Sequence, residues 1–176
     1  RRALPGLILL DKRLLILTLK LNPEAELFFN KLREEYFPPE RNYLKAHLTL
    51  FHALPGEQLS EIQSGLKEIA GKTIPFQLKP ESWKAIGKGV AFILDCPELI
   101  SLHQQLQSRW TSHLTRQDAQ KLWPQITIQN KVSLEEARIT MDKIKDLRPP
   151  PIQGIGFNLF YYDNGPWEFI ESYFFP

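Results

Sequence analysis

Apolar residues run almost unbroken from position 14 to 21, in a short stretch rich in branched side chains that predicts a buried strand. Asn22 and Pro23 follow as a cap and a first-turn proline, so a helix is predicted over 23–35, ending before Pro38-Pro39. Its inner face is set by Leu27, Phe28 and Leu32. Residues 46–54 read as a second strand, stopped by Pro55-Gly56. A second amphipathic helix is predicted over 60–70, with Ile62, Leu66 and Ile69 on one side and Gly71 at its end. Between 74 and 95 the alternation is broken at Pro80 and at Gly87-Lys88-Gly89, which predicts two or three strands, the last over 90–94. Pro97-Glu98 opens a third helix that reaches position 113. A polar loop over 115–121 leads to a strand at 124–132. Ser133-Leu134-Glu135-Glu136 is a capping box for a fourth helix to position 145. Arg148-Pro149-Pro150-Pro151 ends it, and residues 155–162 and 167–175 form a hairpin about Asp163-Asn164-Gly165.

Strands and helices interleave without a Gly-rich phosphate loop or a long crossover repeat. The expected class is therefore α+β with a mainly antiparallel sheet. The two halves echo each other faintly: His47-Leu48-Thr49-Leu50 and Gln125-Ile126-Thr127-Ile128 are both polar-x-Thr-apolar tetrads on a strand followed by a helix.

Composition narrows the picture. The chain has 176 residues, 43% of them hydrophobic, enough for one domain or two small lobes on a shared core. The whole of 1–176 is read as a single domain. One cysteine, Cys96, excludes an internal disulfide and fits a reducing compartment; its apolar neighbours make it buried filler. A formal net charge of +2 leaves room for a small anionic ligand and argues against a long electrostatic track for RNA. Neither Leu7-Ile8-Leu9-Leu10 nor the run from 14 approaches the roughly 20 apolar residues of a membrane span. Arg1-Arg2 and the apolar segment after it are too short for a signal peptide. A soluble, cytoplasmic protein with no membrane partner is expected.

The tetrads carry the candidate chemistry. On a strand, residues two apart share a face, so His47 and Thr49 point one way and Leu48 and Leu50 the other. Gln125, Thr127, Gln129 and Lys131 likewise share a face. Two such polar faces across a cleft would offer two hydroxyls, an imidazole, an amide and an ammonium, a set that can hold a phosphate. Any half-exposed strand alternates in this way; recurrence of the tetrad in both halves is what singles it out.

His47-Leu48-Thr49-Leu50, with Lys45-Ala46 before it and Phe51-His52 after, resembles the first signature tetrad of the two-histidine (2H) phosphoesterase superfamily of 2′-5′ RNA ligases and cyclic phosphodiesterases. Trp123-Pro124-Gln125-Ile126-Thr127-Ile128 is similar to the second, with Gln125 where a histidine is usual. Tyr161-Tyr162 and Gly165-Pro166-Trp167 resemble the C-terminal hairpin of some bacterial members. The resemblance implies two pseudo-symmetric lobes with helices outside and a central cleft. It implies one histidine activating water or a sugar hydroxyl against a 2′,3′-cyclic phosphate, the other protonating the departing ribose oxygen, and the two threonines binding phosphate oxygens, with no metal or other cofactor. The partner would be a nucleotide, or an RNA terminus with a cyclic or 2′-5′ phosphate. Gln125 carries no titratable proton, and loss of one acid–base group costs about 10²–10⁴-fold in rate.

The site residues expected are thus His47, Thr49, Gln125 and Thr127 for chemistry, with Lys131, Phe51 and Trp123 against substrate. Phe51, Trp123, Tyr161 and Trp167 could also simply pack in the core. His113-Leu114-Thr115 repeats the His-x-Thr pattern outside any alternation, and a loop could still bring His113 over the cleft. His52 is expected on the strand face opposite His47, and His103 on a helix surface. No cysteine or histidine spacing suits zinc, and no acidic cluster suits magnesium. Three readings stay open: a phosphoesterase or ligase, a non-catalytic nucleotide- or RNA-binding protein that kept the cleft, and a scaffold domain with coincidental tetrads.

Overall fold

The run of branched residues forms strand β1, Leu14–Leu21, and Pro23–Tyr36 forms helix α1. The structure is a computed structural model that describes residues 12–176, so Leu7-Ile8-Leu9-Leu10 lies outside the described residues. Asn22 does not cap α1 with its side chain. It bonds instead to the segment that opens the strand Ile152–Tyr162, accepting from the Gln153 N–H at 2.8 Å and donating to the Pro151 carbonyl at 3.1 Å. The buried face of α1 is Ala25, Phe29, Leu32 and Arg33, one position round from the expected stripe, and Leu27 faces outward.

Strand β2, Leu48–Pro55, leads through a single 3₁₀ turn to helix α2, Leu59–Gly71. Strands β3, Phe76–Ala85, and β4, Val90–Asp95, form a hairpin. Pro80 does not break β3, because the register slips beside it, at Glu81, and a bulge tolerates a residue without an N–H. Helix α3, Pro97–Arg109, is shorter than expected, and Thr111–His113 forms a separate 3₁₀ turn. Strand β5 is confined to Gln125–Gln129. Helix α4, Leu134–Ile144, starts as the capping box requires, with the Ser133 hydroxyl accepting from the Glu136 N–H. Strands β6, Ile152–Tyr162, and β7, Glu168–Phe174, close the chain as a hairpin.

All strand pairs are antiparallel, and the order is β2-β1-β6-β3-β4-β5, with β7 also on β6. The path is symmetric if β1, β2 and β3 exchange with β4, β5 and β6. It therefore divides into the halves β2-β1-β6 and β5-β4-β3, each with one tetrad on its outermost strand. The halves join where Phe76, Gln77 and Leu78 pair with Gly154, Gln153 and Ile152. One apolar core spans both, from Leu17, Leu48 and Phe51 through Phe29 and Phe92 to Leu99, Trp110 and Ile126. The α+β, mainly antiparallel class expected from the pattern is the one observed. Among the described residues no helix is long and apolar enough to cross a membrane.

The echo between the halves extends to a backbone irregularity. Thr49 lies opposite Thr18 but Phe51 opposite Leu17, so Leu50 is an extra residue in β2. Thr127 lies opposite Ala91 but Gln129 opposite Val90, so Ile128 is the extra residue in β5. Each bulge comes directly after the tetrad threonine, and each turns the next residue inward: Phe51 and Gln129 are both buried beside an already buried neighbour.

Candidate active site

His47 enters the site from the residue before β2, Thr49 from β2, and Gln125 and Thr127 from β5. All four line one open cavity of about 480 Å³, within the size range of small-ligand sites. The imidazole Nδ1 of His47 lies 2.8 Å from the Lys45 carbonyl. A carbonyl only accepts, so Nδ1 carries the proton and the neutral ring keeps its lone pair on Nε2. Burial lowers the pKa of His47 to about 4; the Lys45 carbonyl works against this, and the charges of Arg33 and His52 add to the lowering. His47 is therefore neutral near pH 7, with one nitrogen able to accept a proton. The indole of Trp167 packs against it, with ring centroids 4.6 Å apart.

Arg33 lies behind the two tetrads. Only 5% exposed, it donates from Nε to the Asn42 side-chain oxygen at 2.8 Å and to the Leu44 carbonyl at 2.9 Å, and from Nη1 to the Thr127 carbonyl at 3.1 Å. Its partners are neutral oxygens, and no carboxylate pairs with it among the described residues. Burial lowers its pKa to about 10, still far above neutrality, so a full positive charge sits under the cleft. Lys121 adds a second charge at the cavity wall, its ammonium 4.8 Å from the centre of the Trp123 ring. Trp123 is 73% exposed at the cavity edge.

Phe51 and Lys131 do not join this group. The bulge at Leu50 turns Phe51 into the core, where it stacks on His103 and meets Trp110 edge-on. Strand β5 stops at Gln129, whose amide bonds the Thr140 hydroxyl, and Lys131 follows in a left-handed turn with φ 64° away from the cavity. The expectation that both would contact substrate is corrected by these two departures from alternation.

The other histidines also differ from expectation. His103 is 2% exposed on α3, with Nε2 3.0 Å from the Leu50 carbonyl; burial lowers its pKa. It forms part of the cavity floor. His113 pairs with Glu61 at 2.9 Å and does not reach the cavity. His52 lines the same cavity as His47 and not the opposite strand face, because β2 departs from regular alternation twice, at Leu50 and again between Phe51 and Leu54, where His52 lies. Its ring Nδ1 is 3.4 Å from Oδ1 of Asp118.

Asp118 comes from the loop expected to be merely polar. It is 2% exposed, and its two oxygens accept the main-chain N–H groups of His52 and Ala53, each at 2.8 Å. Burial pushes its carboxyl up, but the hydrogen bonds from the His52 side chain and from these two N–H groups outweigh burial, and its pKa falls below the ordinary value. Gln107 on α3 fixes the same loop through the carbonyls of Asp118 and Gln120. Signals for some of these residues exist in the sequence. Leu50-Phe51 is a doubled apolar step inside an alternating strand, and Arg33 falls on the apolar stripe of its helix. For Asp118 no local signal exists.

Comparisons with known proteins agree with this architecture. The family model described as 2′-5′ RNA ligase superfamily matches residues 21–166. Among solved structures, TT0787 of Thermus thermophilus is similar at a TM-score of 0.63 and 15% identity, covering 93% of this chain and 97% of that one. Escherichia coli LigT complexed with 3′-AMP is similar at a TM-score of 0.55 and 19% identity, covering 93% and 98%. LigT complexed with ATP gives 0.56 and 19% over the same shares. At these identities the likeness establishes the fold. Among curated proteins none matches the chain in sequence. With the family match spanning most of its length and both tetrads inside the matched region, the chain belongs to the 2′-5′ RNA ligase superfamily.

Proposed function

We propose that the protein is a metal-independent phosphoesterase of the cyclic phosphodiesterase or 2′-5′ RNA ligase type, acting on nucleotides or RNA ends as one domain in the cytoplasm. The observation that carries this reading is the convergence of His47, Thr49, Gln125 and Thr127 on one cavity above the buried charge of Arg33. The neutral ring of His47, with its lone pair on Nε2, is suited to take a proton from water as it attacks phosphorus. The two threonine hydroxyls, which line the same cavity, would donate to non-bridging phosphate oxygens, and the Gln125 amide to a third. Arg33 and Lys121 stabilise the added negative charge from a site of low dielectric. Trp123 offers its face to a base. The reported complexes of LigT with 3′-AMP, ATP and NADP+ support a nucleotide as ligand.

Gln125 favours a second reading, a cleft that binds nucleotides without turning them over, because an amide cannot transfer a proton at physiological pH. Hydrolysis of a 2′,3′-cyclic nucleotide by the wild type, His47→Ala and Gln125→His separates the two. Wild-type turnover that disappears in His47→Ala supports the enzyme. Turnover confined to Gln125→His supports the binding protein. No turnover and no nucleotide affinity in any of the three would overturn both.

A further inference from the structure

We propose that His52, held by Asp118, is the second proton-transferring group of this site and replaces the histidine that Gln125 is not. The proposal rests on the phosphoesterase reading above and names the residue that completes it. His52 follows the bulge at Leu50 and lies in a second register shift of β2, between Phe51 and Leu54, and it lines the cavity that holds His47 and both tetrad threonines. Half of its side chain is exposed, while the carboxylate beside it is fully enclosed. Nδ1 faces Asp118, and no described residue bonds Nε2, which leaves that nitrogen for a ligand. The two imidazoles are near enough for the charge of His52 to lower the pKa of His47.

Asp118 is built for this position. Its oxygens are tied to the N–H groups of His52 and Ala53, and its own loop is tied by Gln107 and by the Thr115 hydroxyl, which accepts from the Asp118 N–H at 3.2 Å. A carboxylate on one ring nitrogen orients an imidazole and stabilises its cationic form, which is the arrangement that lets the other nitrogen give up a proton during reaction. Asp118 touches no reacting atom and is a positioning residue. In the step proposed, a water oxygen attacks the phosphorus of a 2′,3′-cyclic phosphate and its proton passes to Nε2 of His47. The bond from phosphorus to one ribose oxygen breaks, and that oxygen takes the proton from Nε2 of His52. One proton is accepted and one donated, so nothing else is consumed, and solvent returns both imidazoles to their starting forms.

The test compares the wild type, His47→Ala, His52→Gln, Asp118→Asn and the double variant His52→Gln with Gln125→His, measuring 2′,3′-cyclic nucleotide hydrolysis beside calorimetric binding of 3′-AMP. The expected result is active wild type, a kcat loss of about 10²–10⁴-fold in His52→Gln with 3′-AMP binding kept, a smaller kcat loss at unchanged KM in Asp118→Asn, and recovery in the double variant. A merely structural role for His52 would not be rescued by a histidine across the cleft. The proposal is overturned if His52→Gln stays within threefold of a wild type that His47→Ala silences, a result that leaves the phosphoesterase reading standing. It is also overturned if the wild type is inert and Gln125→His gains equal activity with or without His52. Activity untouched by His47→Ala, or absence of both turnover and 3′-AMP binding, removes the phosphoesterase reading itself.

Discussion

Arg33 on the first helix donates a 3.1 Å hydrogen bond to the carbonyl of Thr127, a residue of the second tetrad, while its Nε holds Leu44 just before the first. One guanidinium thus sets the spacing of two strands that do not pair with each other. Arg33→Met would leave these carbonyls without a donor, and the expected cost is about 3 kcal/mol of unfolding free energy, read by urea denaturation. The same variant removes a positive neighbour of His47. Burial is the main cause of the low pKa of His47, so the value should rise from about 4 but stay below the ordinary 6.5 in an NMR titration. An unchanged His47 titration would mean that Arg33 has no electrostatic reach into the cleft.

Stability should fall with acid between pH 6.5 and 4. His47 and His103 both have pKa values lowered by burial, so in this window the unfolded chain binds protons that the folded chain does not. Lowering the pH through the window then favours unfolding, and the effect ends below the folded pKa, where both states are protonated. His47→Gln should narrow the stability difference between pH 7 and pH 5. An equal difference in wild type and variant would show that His47 is solvated in solution.

Phe51 is expected to behave as a core residue and not as a ligand contact. Phe51→Ala should cost about 3–5 kcal/mol through the cavity it leaves beside His103 and Trp110, whereas Phe51→Leu should cost roughly 1.5 kcal/mol. Thermal denaturation measures both. A near-neutral Phe51→Ala would place the ring in solvent and remove the bulge from β2.

Trp123 is exposed enough to be replaced without disturbing the core. If it stacks on a base, Trp123→Leu should weaken 3′-AMP by about 1–3 kcal/mol, roughly 5- to 150-fold in Kd. Binding of inorganic phosphate should not change. Equal weakening of both ligands would place the indole against phosphate or against Lys121, and not against a base.

Much of the fold is legible in the sequence because its elements are announced locally. Proline at 23 and 97, the capping box at Ser133 and the turn at Asp163-Asn164-Gly165 each mark a boundary that the structure keeps to within a residue or two. The tetrads are legible for the same reason, since strand alternation fixes which side chains lie together. What fails is alternation across a bulge. The residue inserted at Leu50 turns Phe51 out of the site, a second register shift between Phe51 and Leu54 carries His52, and β5, with its own inserted residue at Ile128, ends at Gln129, before Lys131. The roles of Arg33, His103 and Asp118 depend on partners from distant segments, as with the contacts from Asp118 to His52 and Ala53. Such pairings are properties of the assembled core, and no local pattern specifies them.

The inserted residues have a further consequence, for how the molecule behaves in company. Strands β2 and β5 end the sheet path, each bonded to a neighbour on one side only, and an open strand flank is a template for another chain to extend. A bulge after each threonine bends that flank and interrupts its run of outward amides and carbonyls, so an incoming strand could pair over only a few residues. The distortion that shapes the cleft thereby also guards the two strand flanks beside it against polymerisation.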